Sequence, residues 1–254
     1  SLQQNTDSNS IRYGSILILS AVVGYISLSQ EILWIRFLGY ATGGIATVFG
    51  NLLCFFLIGV AIGSLIAVQV CRKYEKNLLT IIALVLAVSA VSYYLTMPLL
   101  GYLSSLIGET SIPFMYLAVG AISLSLGVIF PILTHSVIRN KNAVGSSVSL
   151  IYFANVIGST AGPIITGFIL LDHFSFGENV RLLSALTLIF ALCVFIISQK
   201  SLTYRAIAVF SAVGLIGLEL LSYSSLYGNL FEKLYYKQNY SSSNLFRKTI
   251  ETRS

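Results

Sequence analysis

Charged residues are scarce in this chain of 254 residues, in which aspartate, glutamate, lysine and arginine together make up 9%, against about 25% in an ordinary soluble domain. So few charges cannot cover a globular protein in water, which excludes a soluble enzyme, a disordered chain and a nucleic-acid-binding domain. Cysteine is scarce too. Cys54, Cys71 and Cys193 are isolated, with no CxxC pair or histidine at ligand spacing, so we predict ordinary packing and no metal site.

Long apolar runs are what the chain has instead, because 56% of its residues are hydrophobic. A helix needs about 20 apolar residues to cross a hydrocarbon core about 30 Å thick. Stretches of this kind cover residues 15–38, 45–70, 78–100, 113–138, 146–171, 182–197 and 206–221. We therefore predict an all-α fold, a polytopic transmembrane helical bundle with about seven spans, in the cell (inner or plasma) membrane. Residues 1–13 form an N-terminal tail, residues 14–222 the transmembrane domain, and residues 223–254 a tail leading into a missing soluble domain.

Orientation follows from the basic residues of the short loops, which favour the cytoplasmic side. Alternate loops are basic, with Arg72, Lys73, Lys76, Arg139, Lys141, Lys200 and Arg205. The opposite loops carry Glu109, Asp172 and Glu178. This asymmetry predicts a cytoplasmic N-terminus, and seven crossings would place the C-terminal tail outside. That tail is itself basic, with Lys233, Lys237, Arg247, Lys248 and Arg253, so either the last span does not cross or the tail departs from the rule.

Polar side chains inside the spans are the candidates for function, since each must be paired, protonated or hydrated. One face of the first span carries Ser20, Gly24, Ser27 and Glu31, and one face of the fifth carries Asn155, Ser159, Gly162 and Thr166. We expect these two stripes to face each other. The intramembrane polar candidates are Glu31, Arg36, Tyr152, Asn155 and Glu219. Glu31 either reaches water or another helix near the interface, or forms a substrate or proton site. We interpret Trp34 as part of an interfacial aromatic belt.

Small residues at intervals of four predict close helix packing, because lipid removes the usual hydrophobic driving force between helices. Gly59 and Gly63 lie on the second span, Gly127 on the fourth, and Gly158 and Gly162 on the fifth. Pro131 removes a backbone hydrogen bond and predicts a kink in the fourth span.

An ordered set of motifs resembles the multi-span membrane domain fused ahead of spermidine synthase-like domains. The motifs are QEILWIRFLG at 30–39, FFLIGVAIGSLIA at 55–67, GVIFPILT at 127–134 and IYFANVIGSTAGPIITGFIL at 151–170. The segment FRKTIETRS at 246–254 looks like the first strand of the synthase domain. Glu31, Arg36, Tyr152 and Asn155 match the family pattern, with no role assigned to them.

The resemblance implies a membrane domain that anchors a polyamine aminopropyltransferase-like catalytic domain and could present substrate to it. That domain, or a partner chain, would use decarboxylated S-adenosylmethionine or a related nucleotide. The 254 residues contain no glycine-rich loop after a strand and no acidic pair in a soluble domain, so we assign them no catalytic residue and no cofactor. The expected partners are the lipid bilayer and the catalytic domain, with no nucleic acid. Two alternatives stay open: a small-molecule (polyamine-type) transporter or half-transporter, and a structural subunit of a larger membrane complex.

Overall fold

The computed structural model describes residues 2–138, 144–199 and 201–241, which are almost entirely helical and include no strand. The helices are α1 (Leu2–Thr42), α2 (Thr47–Lys73), α3 (Leu78–Ile107), α4 (Ile112–Ile138), α5 (Val144–Ile164), α6 (Phe176–Ser198), α7 (Leu202–Tyr227) and α8 (Leu230–Tyr236). After α5 the chain continues through a π-helical stretch, Ile165–Leu170, and a last helical turn, Leu171–His173. The predicted all-α fold is confirmed.

Six continuous helical segments are long and apolar enough to cross a membrane. One of them, Leu78–Ser136, has 59 residues and would measure about 90 Å as a single helix, three times the thickness of a hydrocarbon core. It consists of α3 and α4, which are joined by the 3-10 turn Gly108–Ser111 and pack against each other. Counting α3 and α4 separately gives a bundle of seven spanning helices within the described residues, α1 to α7. The chain is an integral membrane protein.

The last two spans are longer than the apolar runs predict. The sixth was expected over 182–197, but α6 begins at Phe176 because Ser175 caps it. The Ser175 side chain accepts a hydrogen bond from the Glu178 N–H, and the Glu178 carboxylate accepts one from the Ser175 N–H at 2.8 Å. This capping box satisfies backbone donors that a helix start leaves free. At the other end of the chain, α1 begins at Leu2, so helix continues through the segment expected to be an N-terminal tail.

Hydrogen bonds between helices show the direction in which each one runs. The Ser20 hydroxyl donates to the Ile151 carbonyl at 2.9 Å, and the Thr166 hydroxyl donates to Ser29 at 2.9 Å. Residue numbers therefore increase in the same sense along α1 and α5, and these helices are parallel.

The seventh helix lies alongside the sixth on the outside of the bundle and runs in the opposite direction. Its Glu219 contacts Ser184 of α6, whereas Tyr223, further along α7, contacts Ser175 at the start of α6. The two helices are therefore antiparallel, and α7 ends where α6 begins. The chain after α7 reaches the turn between α3 and α4, where Lys237 forms an ion pair with Glu109 at 3.0 Å. The start of the C-terminal tail thus lies at the Glu109 end of the bundle, which the loop charges predict to be the outer one.

A labelling experiment tests this placement of the tail. In a chain whose three native cysteines are replaced by alanine, we expect cysteines at Thr110 and at Ser241 to react with a membrane-impermeant maleimide from the same side of sealed cells. A cysteine at Lys73, at the opposite end of the bundle, should react only after the membrane is opened. If Ser241→Cys instead behaves like Lys73→Cys, α7 does not cross. The basic residues Arg247, Lys248 and Arg253 and the strand predicted at 246–254 lie outside the described residues.

Candidate functional site

The two small-and-polar stripes predicted on the first and fifth spans lie against each other. Gly24 is so close to α5 that a Cβ there would lie 2.3 Å from the Asn155 carbonyl oxygen. A Cβ at Gly158 would lie 1.7 Å from the Ala21 carbonyl oxygen, and one at Gly162 would lie 2.7 Å from that of Tyr25. The glycines thus let two helix backbones touch, which is how helices associate where lipid surrounds them.

The polar candidates on these two helices are not gathered into one site. Glu31 is buried, with 8% of its surface exposed, and makes no hydrogen bond or ion pair with any described residue. Asn155 and Arg36 are half-buried. Tyr152 is 60% exposed on the outer side of α5, where its ring meets Phe130 edge-on. The four residues that match the family pattern therefore do not form a cluster.

A second tight crossing joins α2 and α4. A Cβ at Gly59 would lie 2.2 Å from the Gly120 carbonyl oxygen, and one at Gly63 would lie 2.2 Å from that of Leu124. A Cβ at Gly127 would lie 2.4 Å from the Val60 carbonyl oxygen. Pro131 lies inside α4, one turn beyond this crossing. These positions hold the bundle together and leave no room for a ligand.

Trp34 lies in the centre of the bundle, so its interpretation as an interfacial residue is wrong. Only 1% of its surface is exposed, and its ring packs edge-on against Phe37 at 5.7 Å and against Tyr93 of α3 at 6.3 Å between centroids. Glycines bring α1 against α5 and α2 against α4, whereas large aromatic side chains fill the space between α1 and α3.

Glu219 is the centre of a polar layer that joins α3, α6 and α7. It has 5% of its surface exposed, and its Oε1 lies 2.6 Å from the Ser184 hydroxyl. The same hydroxyl lies 3.0 Å from the Ala90 carbonyl oxygen of α3. Glu219 stands eight residues before the end of α7, about 12 Å below the end of that helix. Because α7 packs antiparallel along α6, a spanning helix, the Glu219 carboxyl group lies between the two ends of the bundle.

Tyrosines extend this layer toward the Glu109 end of the bundle. The Tyr94 hydroxyl donates to the Glu219 carbonyl oxygen at 2.9 Å, and the Tyr227 hydroxyl donates to the Tyr94 carbonyl oxygen at 2.6 Å. The Arg181 guanidinium lies over the Tyr223 ring, 4.5 Å from its centre. Glu219 can be identified from the sequence, but these tyrosines cannot, because their hydroxyls look like ordinary aromatic content until α3 and α7 are known to be neighbours.

The short helix α8 folds back on the Glu109 end of the bundle. Its buried residues are Leu230, Phe231 and Leu234. The Phe231 ring packs against Tyr40 of α1 at 4.3 Å and against Phe176 of α6 at 5.3 Å between centroids. Leu230 covers Gly101 of α3, where a Cβ would lie 2.4 Å from its Cδ1. The chain that leaves the last span is therefore fixed to α1, α3 and α6.

The described residues include no strand followed by a glycine-rich loop, the element with which the implied synthase-like domain would bind its nucleotide. Within these same ranges no group of three histidine, cysteine, aspartate or glutamate side chains is arranged to hold a metal ion. Comparison with known proteins adds no further guide: no protein family, curated protein or solved structure matches the chain.

Proposed function

We propose that the chain is a membrane domain that anchors a spermidine synthase-like catalytic domain, carried by the same protein or by a partner chain. The observation that carries the proposal is the docking of α8, which fixes the segment leading out of the last span against three helices of the bundle. The ordered motifs of the sequence support the identity of the anchored domain.

The docking contacts fix the position of α8 on the bundle, which a flexible linker would not do. A flexible linker would let an attached domain move freely relative to the membrane. Here three apolar side chains of α8 are buried, and Lys237 pairs with Glu109 beyond them. A domain that follows is therefore held next to the membrane at the Glu109 end. The nucleotide and the transfer chemistry belong to that domain.

Removing the Phe231 ring tests the anchoring role. Phe231→Ala removes a buried ring, which costs about 3 kcal/mol, or about a hundredfold in the ratio of docked to free α8. We expect trypsin to cleave the variant at Lys233 and Lys237 much faster than the wild type in lipid nanodiscs. Tyr235→Ala, on the exposed side of the same helix, is the matched control and should leave the cleavage rate unchanged.

The functional part of the test uses the natural assembly, purified from its own membranes in mild detergent. We expect it to transfer an aminopropyl group from decarboxylated S-adenosylmethionine to a diamine, and Phe231→Ala to reduce the activity that co-purifies with the bundle. If no such activity accompanies the wild-type chain, the proposed function is wrong even where α8 docks as described. Equal trypsin cleavage of the Phe231 and Tyr235 variants would contradict the docking itself.

A further inference from the structure

The hydrogen bonds around Ser184 contain one hydrogen too few if Glu219 is ionised. A serine hydroxyl has a single hydrogen to donate. Ser184 Oγ lies 2.6 Å from Glu219 Oε1 and 3.0 Å from the Ala90 carbonyl oxygen, both at hydrogen-bonding distance. A carboxylate and a carbonyl are acceptors only, so one of these two contacts would bring oxygens together with no hydrogen between them. The contacts are both satisfied only when another hydrogen is present.

The Ser184 hydroxyl and Arg181 are the groups among the described residues that favour a negative charge on Glu219, and burial opposes it more strongly. Its Oε2 is buried and has no hydrogen-bond partner among the described residues. The charged group that acts on it from α6, Arg181, makes no ion pair with it and lies over the Tyr223 ring instead. The other titratable groups that face the layer are tyrosines: Tyr93 and Tyr94 on α3, and Tyr223 and Tyr227 on α7 itself. An ionised carboxylate with one bare oxygen is far more costly in such a place than a neutral acid.

We infer that Glu219 is a proton-binding site inside the membrane and acts there as a neutral hydrogen-bond donor. The Oε1 hydroxyl of Glu219 donates to Ser184 Oγ, and the Ser184 hydroxyl donates to the Ala90 carbonyl oxygen. Oε2 is then the carbonyl oxygen of a neutral acid. The chain of donors runs from α7 through α6 to α3 and links the three helices at one level.

This proton also matters for the attachment of α7. The described residues of α7 include only three that are buried, Ala212, Glu219 and Tyr227. Two of these three take part in hydrogen bonds with α3 or α6. Loss of the proton would turn the Ser184 hydroxyl toward Glu219 and leave the Ala90 carbonyl oxygen with only the Tyr94 N–H that it accepts within α3. The protonated acid is therefore the form in which one chain of hydrogen bonds joins α7 through α6 to α3, beside the direct bonds that Tyr94 and Tyr227 make between α7 and α3.

Infrared spectroscopy of the wild-type chain in lipid nanodiscs tests the inference at neutral pH. We expect a carbonyl stretching band of a protonated carboxylic acid, with a component that is lost in Glu219→Gln and kept in Glu31→Gln, the variant at the other buried acid. Because the glutamine amide can also donate to Ser184, Glu219→Gln should keep the wild-type melting temperature. Ser184→Ala should keep the band but move it toward the frequency of an acid without a hydrogen-bond acceptor.

Three results would overturn the inference. One is the absence of the band in the wild type, which requires no variant. Another is a band lost in Glu31→Gln and unchanged in Glu219→Gln, which assigns the proton to the other buried acid. The third is a band that Ser184→Ala leaves at the same frequency. If Glu219→Gln does not fold, a band that remains in Glu31→Gln still supports the proton at Glu219, and the complete loss of the band there contradicts it. None of these results depends on the anchored domain.

Discussion

Alanine at Gly158 is expected to disrupt the packing of α1 against α5 and to leave little folded protein. The added Cβ would lie 1.7 Å from the Ala21 carbonyl oxygen, 2.6 Å from its carbonyl carbon and 2.9 Å from its Cα. These are backbone atoms, which cannot rotate away as a flexible side chain can. Overpacking of a core costs about 1 to 3 kcal/mol where side chains can adjust, so we expect at least about 3 kcal/mol here. Thermal unfolding and size-exclusion chromatography in detergent measure the effect.

Gly214→Ala is the matched control for this prediction. Gly214 also lies within a spanning helix, α7, but a Cβ there would have no atom within 4 Å. In an exposed helix position alanine is favoured over glycine by up to about 1 kcal/mol. The same change of one methyl group should therefore lower the stability at Gly158 and leave it equal or higher at Gly214. Equal effects at the two positions would contradict the close approach of α1 and α5.

The fold could be predicted from the sequence because the bilayer constrains it so strongly. A run of about 20 apolar residues is required for each crossing, and the runs can be counted without any knowledge of partners. The close crossings were also visible, since glycines at intervals of four, such as Gly59 and Gly63, are informative whichever helix they meet. Helix ends were less predictable. The start of α6 depends on a capping box at Ser175 and Glu178, which precedes the apolar run.

The polar layer could not be predicted because its members are far apart in the sequence. Ser184 and Glu219 lie 35 residues apart, and Tyr94 lies 125 residues before Glu219. No periodicity within one helix shows that three helices meet at one level. Apolar sequence also gives no sign of which aromatic residue faces lipid. Trp34, near the end of an apolar run, has the sequence pattern of an interfacial tryptophan and is nevertheless enclosed by Phe37 and Tyr93.

Replacement of Trp34 by alanine is the second change for which we expect a large effect. The side chain is 1% exposed, so its removal leaves a cavity between α1 and α3 that neighbouring residues can fill only in part. Substitutions of buried tryptophan by alanine cost about 3 to 5 kcal/mol. We expect a corresponding drop in the unfolding midpoint when the chain is titrated with denaturing detergent. The unfolding midpoint of Trp34→Phe should fall between those of the wild type and Trp34→Ala, because phenylalanine keeps an aromatic ring against Tyr93.

Phe210→Ala separates an interior role of Trp34 from a lipid-facing one. Phe210 is 79% exposed on α7, where lipid tails take the place of the missing ring and little packing is lost. If Trp34 belonged to an aromatic belt, its replacement would resemble that of Phe210 and change the midpoint only slightly. A large loss for Trp34→Ala beside a small one for Phe210→Ala would show that α1 and α3 are held apart by aromatic side chains. The distance between these two helices is thus set by residues as large as tryptophan, in contrast to the glycine crossings of α1 with α5 and of α2 with α4.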